Sequence, residues 1–84
     1  MAVPVVTIYR NGDLHFYGKK LVVNPKNIST FDNFLDKVTH DTQARVAIRR
    51  LCTPNHGSRI LKLDQLQNGG VYVAVGAEKF KRLQ

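Results

Sequence analysis

Residues 31–38 constrain this chain more than any other stretch. Phe31, Phe34, Leu35 and Val38 fall at i, i+3, i+4 and i+7, the spacing that lines one face of an α-helix. Ser29 or Thr30 is placed to cap it, and Asp32 in the first turn suits the positive end of the helix dipole. The helix expected over residues 28–39 is short, about three turns. Its apolar stripe has to be buried, and no other stretch repeats the pattern convincingly. The cover must therefore come from a sheet.

The rest of the chain offers strands. Residues 3–10 are rich in β-branched residues, with Val6 and Ile8 on one face and Val5, Thr7 and Tyr9 on the other. Asn11-Gly12 follows, a hairpin signal because both residues tolerate positive φ. A second strand is expected over residues 14–23, with a bulge or bend at Gly18 and with Leu21 and Val23 sharing a face. Asn24-Pro25-Lys26-Asn27 ends it. After the helix, a polar loop is expected over residues 40–45. A third strand follows over 46–53, where the three-residue step from Ile48 to Leu51 hints at an irregularity. Pro54-Asn55-His56-Gly57 is a turn, and residues 59–63 form a short fourth strand. One helical turn falls near Asp64-Gln65-Leu66, and Val71-Tyr72-Val73-Ala74-Val75 is the last strand, with Phe80 pinned to the body behind it.

The order β-β-α-β-β-β describes an α+β domain: a mixed sheet of four to five strands with one helix on one face. With the first and last strands adjacent in the middle, the arrangement is a ubiquitin-like β-grasp. The 84 residues suffice for one domain, expected over residues 3–83, and leave little room for both a core and a deep substrate pocket, which argues against an enzyme.

Thirteen Lys and Arg stand against six Asp and Glu, a net charge of +7. Such a field favours an acidic partner. The cations are dispersed, and Lys19-Lys20, Arg49-Arg50 and Lys79/Lys81/Arg82 are the only close groups. Cys52 is alone, so no internal disulfide can form, and a reducing compartment is the natural setting. No apolar run reaches the ~20 residues of a membrane span, and no signal-peptide pattern leads the chain, so a cytoplasmic location with no membrane partner is expected.

Several segments together resemble one family. Tyr9-Arg10-Asn11-Gly12-Asp13 closes a β-branched strand, Gly18 follows, and Ser29-Thr30-Phe31-Asp32 opens a helix continued by Phe34-Leu35. Ile48-Arg49-Arg50-Leu51-Cys52-Thr53 precedes a glycine-containing turn, then come Leu63-Asp64-Gln65-Leu66, Gly70, Tyr72-Val73-Ala74, Glu78 and Phe80. This ordered set is similar to the doublecortin (DCX) domain. The resemblance implies a ubiquitin-like fold and binding to tubulin in microtubules, without cofactor, on the cytoskeleton or a ciliary axoneme. Family members commonly carry two such domains in tandem, and this one looks more like the first of a pair.

Acidic tubulin surfaces suit a basic docking face, with charge steering the encounter and a few specific contacts holding it. The candidates are Lys19, Lys20 and Lys26 around the second strand, and Arg49, Arg50, Arg59 and Lys62 from the later strands; Lys79, Lys81 and Arg82 could add to them. The alternative is an adaptor module that binds a signalling or ciliary protein through an exposed sheet face; the isolated domain is expected to be a monomer. Tyr9, Phe16, Tyr17 and Tyr72 interleave with cations as in some nucleic-acid platforms, but the RNA-binding signature run is absent and no nucleic-acid partner is expected. His15, His40, His56 and Cys52 match no zinc spacing, so no metal site is expected. Nothing supplies an oriented base for Cys52 or a serine, so no catalytic residue is assigned. Asn11, Gly12 and Asp13 are explained by turn geometry.

Overall fold

The structure, a computed structural model, describes residues 3–13 and 17–82. It contains β1 (Val5–Arg10), β2 (Lys19–Val22), α1 (Phe31–Asp41), β3 (Arg50–Cys52), β4 (Arg59–Ile60), a 3-10 turn (Leu63–Gln65) and β5 (Val71–Val75). The sheet runs β2-β1-β5-β3-β4. β1 and β5 lie parallel at its centre, and the other pairings are antiparallel. This is the expected α+β, ubiquitin-like mixed sheet, five strands with one helix on one face. The start of the expected second strand, Leu14 to Phe16, lies outside the described residues.

The two faces follow from strand alternation. Val6 and Ile8 point towards α1 and are fully buried, joined by Leu21, Val23, Leu51, Tyr72 and Ala74. Phe34, Leu35 and Val38 meet them from the helix, with Phe31 packed at the margin. Thr30 is the N-cap, its hydroxyl accepting the Asn33 N–H at 3.1 Å. The opposite, open face carries Val5, Thr7 and Tyr9 on β1, Lys20 and Val22 on β2, Val71, Val73 and Val75 on β5, and Arg50, Cys52 and Arg59 at the far side.

Several boundaries differ from the expectation, each for a local reason. Ile8 pairs with Lys19, so Asn11-Gly12 is not a two-residue hairpin loop. Instead β1 keeps following β5: the Asn11 N–H donates to the Ala74 carbonyl at 3.0 Å before the chain turns through Gly12, which has φ +75°. Gly18 stands just before β2, not within a strand.

The helix runs to Asp41 because it has a complete C-terminal cap. The Ala44 N–H reaches the Thr39 carbonyl and the Gln43 N–H the His40 carbonyl, with Gln43 left-handed at φ +55°. β3 is only three residues long. Thr39 Oγ1 accepts the Ile48 N–H at 2.9 Å and draws Ile48 into the helix-side core, the same side as Leu51. Strict alternation forbids two residues three apart from sharing a face, so the strand starts only at Arg50. β4 stops at Ile60 because Gln65 Oε1 takes the next two amides, those of Leu61 (2.6 Å) and Lys62 (3.0 Å).

Candidate functional site

The seven candidate cations do not converge on one patch. Lys19 and Lys20 are exposed on edge strand β2, and Lys26 is exposed in the turn beyond it. Arg59 sits on β4, the opposite edge, with Lys62 just after it, both exposed. Four inter-strand spacings separate the edges, about 19 Å. Arg49 is exposed beside the start of β3, held there by its N–H donating to the Val75 carbonyl at 2.9 Å. Arg50 differs from the rest. It is half-buried, and its guanidinium donates to the Glu78 carbonyl at 3.0 Å, so it braces the chain after β5.

That following segment is part of the surface. After Gly76 the chain folds back over the open face, and Phe80 packs on Cys52, Val73 and Val75. Gly57 lies directly beneath the Phe80 ring. A Cβ there would come within 2.7 Å of it, and the φ of +71° disfavours any other residue. Asn11 clamps the segment from the other side. Its Nδ2 donates to Glu78 Oε2 (3.0 Å) and to the Lys79 carbonyl (2.7 Å), and its Oδ1 accepts the Lys81 N–H (2.6 Å). The strap therefore carries the exposed Lys79, Lys81 and Arg82 across the face that also holds Arg59 and Lys20.

Neighbouring Arg10 performs a second structural task. Its Nη1 donates to the Thr42 and Gln43 carbonyls at the C-terminus of α1 (3.1 and 3.2 Å), and its Nη2 pairs with Asp13. A cation at that helix end also complements the dipole. Between this turn, the end of β5 and residues 44–48 lies an open cleft of about 340 Å³, bordered by Arg45, Val46, Glu78 and Asn11. Sequence reasoning explained Asn11 and Asp13 by turn geometry alone. Their partners are 67 to 70 residues away for Asn11, and 32 and 33 away for the Arg10 that Asp13 holds. No local pattern records such distances.

The charges are segregated. Three of the six acidic residues, Asp32, Asp36 and Asp41, lie on α1 with a single lysine, Lys37, which pairs with Asp41 at 3.0 Å. Burial works against ionisation of Asp41, but hydrogen bonds from His40 and Lys37 outweigh it and hold the carboxyl below its ordinary range. Glu78 is also held low, chiefly by the Asn11 amide, with help from the Gly76 N–H and the Arg50 charge. The basic excess thus lies on the open face, the sheet edges and the loops. Among the described residues, Lys19, Lys20, Lys26, Arg49, Arg59 and Lys62 form no ion pair. Among the described residues Tyr9 and Tyr72 form no shared platform: Tyr72 is buried on the helix side, whereas Tyr9 is on the open face. His15 and Phe16 lie outside the described residues.

Comparison with known proteins agrees with this architecture. The family model described as Doublecortin matches residues 22–80. Doublecortin domain-containing protein 2 of Rattus norvegicus is 51% identical over 79 residues, covering 93% of this chain and 17% of that protein. Doublecortin domain-containing protein 2C of Homo sapiens is 45% identical over 78 residues, covering 93% and 21%. Oxygen-regulated protein 1 of Canis lupus familiaris is 34% identical over 68 residues, covering 81% and 3%. The chain thus spans about a fifth or less of the length of these relatives. A match across most of the fold, on a sheet order and helix placement that the residues themselves explain, establishes that this chain belongs to the doublecortin family.

Proposed function

We propose that this domain binds microtubules, without catalysing a reaction, by docking its basic open face and sheet edges on acidic tubulin. The observation that carries this is an uneven charge distribution in a member of the doublecortin family: half of the acids lie on α1, while six candidate cations stand exposed and unpaired among the described residues. Long-range attraction between such a face and an acidic lattice speeds encounter and orients the domain. Lys19, Lys20, Lys26, Arg49, Arg59 and Lys62 are the contact residues in this reading, with Lys79, Lys81 and Arg82 held by the strap over the open face beside Lys20 and Arg59. Arg50 contributes mainly by bracing Glu78. The location implied is the microtubule cytoskeleton.

Co-sedimentation with stabilised microtubules across a salt series tests it. The domain should pellet at low salt and progressively less as salt rises, because the Debye length shortens from about 30 Å at 0.01 M to about 8 Å at 0.15 M. Arg49→Glu combined with Arg59→Glu should reduce pelleting while leaving the circular dichroism unchanged. Failure to pellet at low salt overturns the proposal. Loss of pelleting on adding RNA would instead favour a nucleic-acid partner.

A further inference from the structure

The edge of β2 has hydrogen-bonding groups to offer. The Val23 N–H donates inward to the Pro4 carbonyl at 2.8 Å, and the register pairs Val22 with Val5, Leu21 with Val6 and Lys20 with Thr7. In an antiparallel pair, inward and outward groups alternate, so Leu21 faces β1 while the N–H and C=O of Lys20 and Val22 point away from it. The bonding of β1 agrees. Thr7 and Val5 direct their N–H groups to the other side, to the Gly70 carbonyl and to Asn68 Oδ1, both at 2.9 Å. Among the described residues nothing pairs with the outer groups of Lys20 and Val22. The β4 edge is a poorer template, since that strand is only two residues long.

The side chains along this edge form an ordered pattern. Lys19-Lys20-Leu21-Val22 reads as two cations followed by two apolar residues. Lys19 and Lys20 are exposed, and Val22 is 51% exposed beside Val5 on the open face. Lysine on an edge strand discourages pairing with another copy, here a chain that itself carries +7. The same lysines favour a strand of opposite sign.

We propose that the free edge of β2 docks an extended acidic segment of a partner protein, which joins the sheet as a sixth strand. Its backbone bonds the outer groups of Lys20 and Val22. Two acidic residues lie opposite Lys19 and Lys20, and two apolar residues lie opposite Leu21 and Val22. Strand addition of this kind takes affinity from the main chain and specificity from alternate side chains. The site uses the edge of the sheet and stands whether or not the domain binds microtubules.

The test is an amide hydrogen-exchange titration of the isotope-labelled domain with a short synthetic peptide in which two glutamates adjoin two valines. Both chain directions are synthesised, since parallel and antiparallel addition require opposite orders. One of them should slow exchange at the Lys20 and Val22 amides and leave Leu21 and Val23 unchanged. Substituting lysines for the glutamates, or N-methylating the peptide amides that face β2, should abolish the effect. Lys19→Glu with Lys20→Glu should weaken binding by about tenfold or more. Val22→Pro removes an outward donor without removing a bond to β1 and should weaken binding comparably; if that variant fails to fold, the N-methylated peptide decides. Binding that tolerates N-methylation, perturbs Arg49 and Arg59 while the Lys20 and Val22 amides exchange freely, or is absent at millimolar peptide overturns the proposal.

Discussion

Asn11 shows how much one turn residue holds. Its amide bonds the strap at three points, one of them a carboxylate, and that last bond is the main reason Glu78 ionises more readily than usual. A carboxyl whose pKa is lower in the folded state stabilises the fold above its unfolded value, near 4.5 here, and that contribution is lost as pH falls through the lower folded value. Asn11→Ala removes three hydrogen bonds to the strap and should cost about 1–2 kcal/mol at neutral pH, since these exposed bonds are replaced by water. It should also lessen the decline in stability on acidification below pH 4.5. Asp41, held low by other partners, keeps its share of that decline. Urea unfolding of both proteins over this pH range measures the two effects together; equal acid sensitivity would show that Asn11 does not set the Glu78 pKa. None of this was legible at residue scale in the sequence. The positive φ of Gly12 was, because it is a local property, but a hydrogen bond from Asn11 to residue 78, 79 or 81 depends on the whole sheet being assembled.

At the scale of elements, the local patterns predicted well where they were dense and failed where one side chain intervened. The stripe Phe31/Phe34/Leu35/Val38 and the cap at Thr30 located the helix, because period and capping chemistry agreed. Its end was misjudged: residues 40–45 are polar and read as loop, yet Gln43 adopts the left-handed conformation of a helix cap usually given to glycine. The same residue's carbonyl receives Arg10, a tie between α1 and β1 that favours the strained backbone. The left-handed conformation costs a non-glycine residue roughly 1 kcal/mol. Gln43→Gly should relieve part of this and, after the added chain entropy of glycine, raise stability by about 0.5 kcal/mol. The increase in denaturation midpoint with unchanged m-value measures it, and a decrease would mean that the Gln43 side chain contributes more than its backbone costs. Similarly, the early ends of β3 and β4 arise from Thr39 and Gln65 taking amides that a strand would otherwise use. Side-chain competition of this kind leaves no trace in the periodicity of the strand itself.

Across the whole molecule, the one-helix, mixed-sheet architecture with the first and last strands adjacent at the centre was readable because the helix stripe needed a covered face and the chain offered strands on both sides of it; the places of β2, β3 and β4 in the order were not. The distribution of charge was only partly readable. The excess of cations is a matter of counting, but their separation to two edges about 19 Å apart follows from β2 and β4 bounding the sheet. The helix keeps three of the six acids and one lysine, so it is net acidic while the rest of the domain carries the basic excess. In the proposed docking through the open face, α1 would point outward, away from an acidic lattice. Charge reversals on the two sides should then have unequal effects, beyond the difference between four units of charge and, with His40 neutral, three. Lys20→Glu with Arg59→Glu changes the open face and should lower microtubule affinity by about tenfold at low salt, two partly screened contacts being lost. Lys37→Glu with His40→Glu on the exposed part of α1 should lower it far less, and mostly through the encounter rate. Salt should narrow the gap between the two variants, because screening weakens exposed charges on either side. Equal losses from both pairs would mean that net charge alone drives association and that the open face has no special role in docking.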